Sequence, residues 1–169
     1  PLTDAERARG INQLLLDGVS PTKVAKGLST TKEAVAAAKV AIESEKAMSA
    51  LDSGQLNLIE ATSFVEFDGD DEAQAELIKV AGTDQFAHRV AQLRADREER
   101  VRYAEAAEGY AAKGYTVLDN RPGWYDKAHI SAQNLKDASG DPLTDEAIAA
   151  MQPCHWAVWL EIAEVYLDA

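Results

Sequence analysis

Residues 20–39 read SPTKVAKGLSTTKEAVAAAK, and this stretch decides the fold. Ser20 is placed to cap a helix whose first residue is Pro21, the order in which helix starts are commonly written. Val24, Ala25 and Leu28 fall on one face at i, i+1 and i+4. Ser29 and Thr30 interrupt the pattern, and Thr31 to Ile42 resumes it with Val35 and Ala38 directed inward. A helix-turn-helix needs a small residue on its first helix, where the second crosses close, and a branched apolar residue about ten positions later to fill the crossing. Ala25 and Val35 meet those needs, so a helix-turn-helix is expected. The alternative is an ordinary helical hairpin with an alanine-rich second arm.

The flanks continue the helical pattern. Thr3 and Glu6 form a capping box for a first helix that reaches Asp17, with Ile11, Leu14 and Leu15 as its apolar stripe and Gly18 as its stop. A further helical segment runs from Ser44 to Gly54. Asn57, with Glu60 three residues on, caps the next helix, whose inner face is Leu58, Ala61 and Val65. Phe67 to Asp71 reads as a loop, and a helix starting at Asp70 or Asp71 runs to Gly82. The alternating acids Asp68, Asp70 and Glu72 have the start of a calcium loop, but Ala73 stands where Gly is needed and Lys79 where a carboxylate is needed. They read instead as helix-start charges.

Thr83 is expected to cap a long helix reaching Lys113. Only its first third has an apolar stripe (Phe86, Val90, Leu93); the rest is alanine and charge, with Arg94/Glu98, Asp96/Arg100 and Glu98/Arg102 at i,i+4 spacing. No sustained heptad marks it as a coiled coil, so it reads as a helix that projects from the core or meets a partner. After Gly114 the composition changes. Tyr115 to Leu118 is strand-like, Arg121 to Trp124 is a turn, Thr144 starts a short helix to Met151, and HWAVWLEI alternates with period two ahead of Val165-Tyr166-Leu167. Trp124, Trp156 and Trp159 are expected to form the core of this part. The expected fold is mainly α: a helix-turn-helix bundle (1–82), a long charged helix (83–113) and a small α+β C-terminal appendage (114–169).

At 169 residues and 46% hydrophobic, the chain can bury one good core or two small ones. No run of about 18 apolar residues suggests a membrane span, and no signal peptide is apparent. The chain opens on Pro1 and runs straight into a helix, which reads as a fragment of something longer. The single cysteine, Cys154, excludes an internal disulfide and fits a reducing cytoplasm. Net charge is −12, unevenly placed: residues 1–50 carry seven Lys/Arg against six acids, whereas residues 51–169 carry ten against twenty-three. The acidic excess therefore lies outside the helix-turn-helix, where it weakens but does not forbid phosphate binding.

With LDSGQLNLIEA following VAKGLSTTKEAV, residues 3–66 resemble the central DNA-binding region of the ParB/KorB-like chromosome and plasmid partition proteins. The residues that carry the likeness are Val24-Ala25-Lys26, Val35, Gly54, Leu56 and Ala61. The later charged helix and GYTVLDNRPGW look like the C-terminal extension of actinobacterial and phage ParB-like proteins. Two positions depart from the pattern: Ser29 stands where the family turn usually has Gly, and Glu60 where the supporting helix often has His. The family's N-terminal nucleotide-binding domain is absent, so the likeness implies the DNA-reading part without the nucleotide switch.

In a helix-turn-helix the outward residues early in the second helix face base edges. Thr31, Lys32, Glu33, Ala36 and Ala37 are the expected base readers: Lys32 toward guanine or phosphate, Glu33 accepting from cytosine N4, the alanines against thymine methyls. Lys23, Lys26 and Lys39 would meet phosphates; each lysine is otherwise a solvated surface charge. Nothing argues for catalysis. His88, His129 and His155 are scattered, and Cys154-His155 with His129 lacks a fourth zinc ligand, so neither an enzyme, a metal nor a cofactor is expected. The expected function is non-catalytic binding of double-stranded DNA by a cytoplasmic, nucleoid-associated homodimer, in partition or transcription regulation of a plasmid or phage. The alternative is an acidic protein–protein adaptor on a helix-turn-helix core, with its partner on the acidic C-terminal half.

Overall fold

A computed structural model describes residues 2–161. The fold is mainly α, with a small parallel two-stranded sheet near the C-terminus. In chain order the elements are α1 (Asp4–Leu16), α2 (Pro21–Gly27), α3 (Lys32–Ala41), α4 (Glu45–Asp52), α5 (Leu58–Val65), α6 (Asp71–Val80), α7 (Gln85–Ala112), β1 (Thr116–Leu118), α8 (Asp145–Ala149) and β2 (Ala157–Trp159). Two compact units divide the chain at Ala95/Asp96, inside α7. The sequence pattern drew boundaries at 82/83 and 113/114; Phe86, Val90 and Leu93, the apolar start of α7, belong to the core of the first unit.

The helix boundaries of the first unit are written by local chemistry. The Thr3 hydroxyl accepts from Glu6 N at 3.1 Å, and the Glu6 carboxylate accepts from Thr3 N at 2.8 Å. Asn57 Oδ1 accepts from Ile59 N and Glu60 N, and Glu60 Oε2 answers by accepting from Asn57 N at 3.0 Å. Ser44, Asp70 and Thr31 cap α4, α6 and α3 through their side-chain oxygens. Ser20 precedes α2 with Pro21 in its first turn, but its side chain makes no capping bond. Three of the four acids in 68–72 have structural partners: Asp70 caps α6, Asp71 pairs with Lys46, and Asp68 accepts from Gln74 at 2.6 Å and Ser44 at 3.2 Å.

Helix α3 lies at the middle of the bundle, packed against α5, α1 and α2. Val24, Val35, Phe67 and Leu77 are the largest side chains completely shut off from solvent. Glu60, only 8% exposed, joins two distant points of this unit. One of its oxygens serves the α5 cap and the other accepts from Gly82 N at 2.7 Å, at the α6–α7 turn. Arg94, spaced to meet Glu98, is instead held by Glu66 at the end of α5.

The second unit contains the charged remainder of α7 and the α+β segment. Gly114, at φ +90°, turns the chain out of α7, and Tyr110 meets Tyr115 edge to face at 5.8 Å. The strands β1 and β2 are parallel, pairing Thr116 with Ala157, Val117 with Val158 and Leu118 with Trp159. Trp156 and Trp159 are half-buried, and the Arg121 guanidinium lies 5.0 Å from the Trp159 ring centre. The expected three-tryptophan core is not formed: Trp124 is 95% exposed. It sits beside Gly123 in a loop, with no neighbouring element to receive it. Ile162 and Val165–Leu167, expected to continue the strands, lie outside the described residues.

Candidate nucleic-acid interface

The turn between α2 and α3 forms at an unusual residue. Ser29 has φ +49° and is the only non-glycine residue in the left-handed region among those described. Thr30 N closes the turn by donating to Ala25 O at 2.9 Å. This is the position at which the ParB-like pattern has Gly, and the chain makes the same bend with an L side chain at a cost of about 1–2 kcal/mol. On α2, Val24 and Ala25 are buried as expected. Leu28 is not: it is 47% exposed, because it follows the last helical turn and swings off the inner face.

At about 100° per residue, the exposed side chains of α3 form one strip: Lys39, Lys32, Ala36, half-buried Val40 and Glu33, from one edge to the other. Four of the five expected base readers, Thr31, Lys32, Glu33 and Ala36, are exposed. Ala37 is not a candidate reader, being 4% exposed. It lies about 40° past Glu33, on the flank covered by the bundle. A helix packed on several sides keeps a narrower free face than one lying on a surface, and Ala34, Val35, Ala37, Ala38 and Ala41 fill the covered arc.

Thr31 and Glu33 are tied to the start of α3. The Thr31 hydroxyl oxygen accepts from Ala34 N at 3.1 Å. Hydrogen bonds from the Glu33 backbone N–H and then from the Thr31 hydroxyl, with a smaller pull from Lys32, hold the Glu33 carboxyl below its ordinary range.

The charges around this strip divide into two sets. Of the seven basic residues in 1–50, Arg7 pairs with Asp4, Arg9 makes a two-pronged pair with Asp52, and Lys46 pairs with Asp71. The other four are Lys23, Lys26, Lys32 and Lys39. All four are exposed, all lie on α2 or α3, and none is held in an ion pair among the described residues. Composition alone did not reveal this division.

A groove of about 860 Å³ opens beside the turn, lined by Leu2, Leu14, Leu28 and Ala34 on one side and Leu58 and Ile59 on the other. Sequence reasoning missed it, since it exists only because α5 starts next to α1: Leu58 N donates to Asp4 Oδ2 at 3.2 Å. The residues weighed as zinc ligands do not converge. His129 Nδ1 lies 3.0 Å from Asp126, Cys154 is exposed, and no group of three His, Cys, Asp or Glu able to hold a metal exists among the described residues. No helix there is long and apolar enough to cross a membrane.

The first unit is thus a helical bundle carrying a helix-turn-helix with unpaired lysines on its outer face. Compared with known proteins, the chain matches no family model, no curated protein and no solved structure. The ParB-like likeness rests on the motif residues alone.

Proposed function

We propose that residues 1–95 bind duplex DNA through α2 and α3, as a non-catalytic module of the ParB-like kind acting in partition or transcription regulation. The observation that supports this is the division of charge: the four basic residues of 1–50 left without an acidic partner all stand on the helix-turn-helix. Lys32 and Lys39 stand together at one edge of the exposed strip of α3, and Lys23 and Lys26 occupy the outer face of α2. An ammonium group already paired to a carboxylate gains little from a phosphate; an unpaired one displaces a counterion from DNA and releases it to solvent. Base reading is sparse, so phosphate contacts dominate and a homodimer is needed for a site of useful length.

The test is fluorescence anisotropy of a mixed-sequence duplex of roughly three helical turns, titrated at low and near-physiological salt. Four neutralised phosphates give an affinity loss on the order of a hundredfold between about 50 and 200 mM salt. The double variant Lys32→Glu with Lys39→Glu abolishes binding; undiminished binding by it sinks this placement.

The groove beside the turn favours a second reading, a protein adaptor. Leu28 and Ile59 are exposed apolar side chains on its rim, suited to an amphipathic helical segment of a partner. Under that reading no duplex binds even at low salt, and Leu28→Glu with Ile59→Glu is the variant that loses its partner.

A further inference from the structure

The α3 strip offers a duplex two ammonium groups, one methyl group and a single carboxylate. Glu33 is that carboxylate, the second residue of α3 and the edge of the strip that borders the buried Ala37. Its neighbour Thr31 is fixed as the helix cap, with its oxygen occupied by Ala34 N. Glu33 stands two residues after that cap, exposed in the first turn of α3, so its carboxylate is carried by a capped helix start rather than by a loop. A carboxylate held there has two effects on DNA. It repels a phosphate, and it accepts a hydrogen bond only from a base edge that donates, the cytosine amino group in the major groove being the best matched.

We infer that Glu33 is the discriminating residue of this surface, selecting duplexes that present a cytosine amino group to the start of α3 and turning away those that present an acceptor or a phosphate. The inference rests on the DNA-binding reading above. It assigns the lysines to affinity and Glu33 to selectivity. Ala36, next to Lys32 and Val40 on the strip, adds methyl contact with a neighbouring thymine.

The chemistry of substitution makes the role separable from simple charge. Glu33→Gln keeps the size and the polar end of the side chain but adds a donor, and a Gln at a reading position pairs with adenine through N6 and N7. The role therefore predicts a change of preferred base, which loss of repulsion alone does not produce. Glu33→Ala removes both acceptor and charge.

The experiment selects bound duplexes from a randomised-sequence library with the full chain and with the Glu33→Gln and Glu33→Ala variants, after circular dichroism has shown that each keeps its helix content. The expected result is a motif in which one position prefers cytosine roughly five- to a hundredfold with the original chain. That position changes to adenine with Glu33→Gln and loses its preference with Glu33→Ala, while both variants bind the unselected pool more tightly. Identical motifs and pool affinities for all three chains overturn the inference and leave DNA binding standing. Failure of all three to bind the pool at low salt overturns DNA binding, and this inference with it.

Discussion

The two units of this chain bury their side chains very differently. Every fully buried apolar residue among those described lies between Ala5 and Leu93. Between 96 and 161 no aromatic side chain is fully buried, Trp124 and Tyr125 are almost wholly exposed, and Trp156 Nε1 is buried without a hydrogen-bond partner among the described residues. The first unit packs short helices around α3, which lies chiefly against α5 and α1. The second pairs two three-residue strands that are parallel, so their connection spans residues 119–156. A parallel pair that short closes a long loop for little ladder energy. The comparison separates a unit that holds itself together from one whose exposed aromatic rings contribute little to its own stability.

The largest expected effect tests that contrast directly. Phe67 is almost completely buried in the first unit, and Phe67→Ala costs about 3–5 kcal/mol in urea denaturation followed by helical circular dichroism. Trp124→Ala, at the exposed loop of the second unit, stays within about 0.5 kcal/mol by the same measurement. A loss at Trp124 comparable to that at Phe67 would erase the distinction. Hydrogen exchange sharpens it further: the amides of β1 and β2 exchange well before those of α3.

Next in size is Glu60→Ala. It strands the backbone N–H groups of Asn57 and Gly82, which Glu60 serves at 3.0 and 2.7 Å, and destabilises the first unit by about 1–3 kcal/mol in the same denaturation. Ser29→Gly acts in the opposite direction. It relieves the left-handed backbone at φ +49° and raises stability by about 0.5–1 kcal/mol, the lost strain exceeding the added chain entropy of glycine. A destabilised Ser29→Gly protein would mean that the turn is held by more than its backbone angle.

The smallest effect is electrostatic. The hydrogen bond from Arg9 holds the Asp52 carboxyl below its ordinary range, and the one from Lys46 does the same for Asp71. Each group takes up a proton less readily folded than unfolded. Its stabilising contribution is therefore complete above the ordinary carboxylate value of 3.8 and is lost as the pH falls through the lowered folded value. These pairs are exposed, so the contribution is slight. Carbon-13 chemical shifts of the Asp52 carboxyl against pH should show its titration moving up toward the ordinary value in Arg9→Gln, with Asp71 unchanged.

Most of the first unit was legible in the sequence because its signals are local. Thr3 with Glu6 and Asn57 with Glu60 write capping boxes within four residues, and both form. Pro21 opens α2, and Gly18, Gly54 and Gly82 turn the chain at positive φ where the pattern stopped. Val24, Ala25, Val35 and Ala38 are buried as their spacing demanded. Helical periodicity assigns a residue to a face, but it does not say how many neighbours cover that face. That is why Ala37 was read as outward and Leu28 as inward, each opposite to its place in the fold. Arg94 likewise had a partner in sequence, Glu98, and found another in space, Glu66.

By itself the sequence determined the helix starts and stops, the crossing of α2 and α3, the change of character after Gly114 and the positions of the basic residues, because each depends on groups a few bonds or one helical turn apart. Only the tertiary structure decided which lysines lack an acidic partner, how narrow the free strip of α3 is, that a groove opens between α1 and α5, and that Trp124 has no core to enter. Those properties depend on distances between residues tens of positions apart, which no local pattern encodes and which packing alone sets.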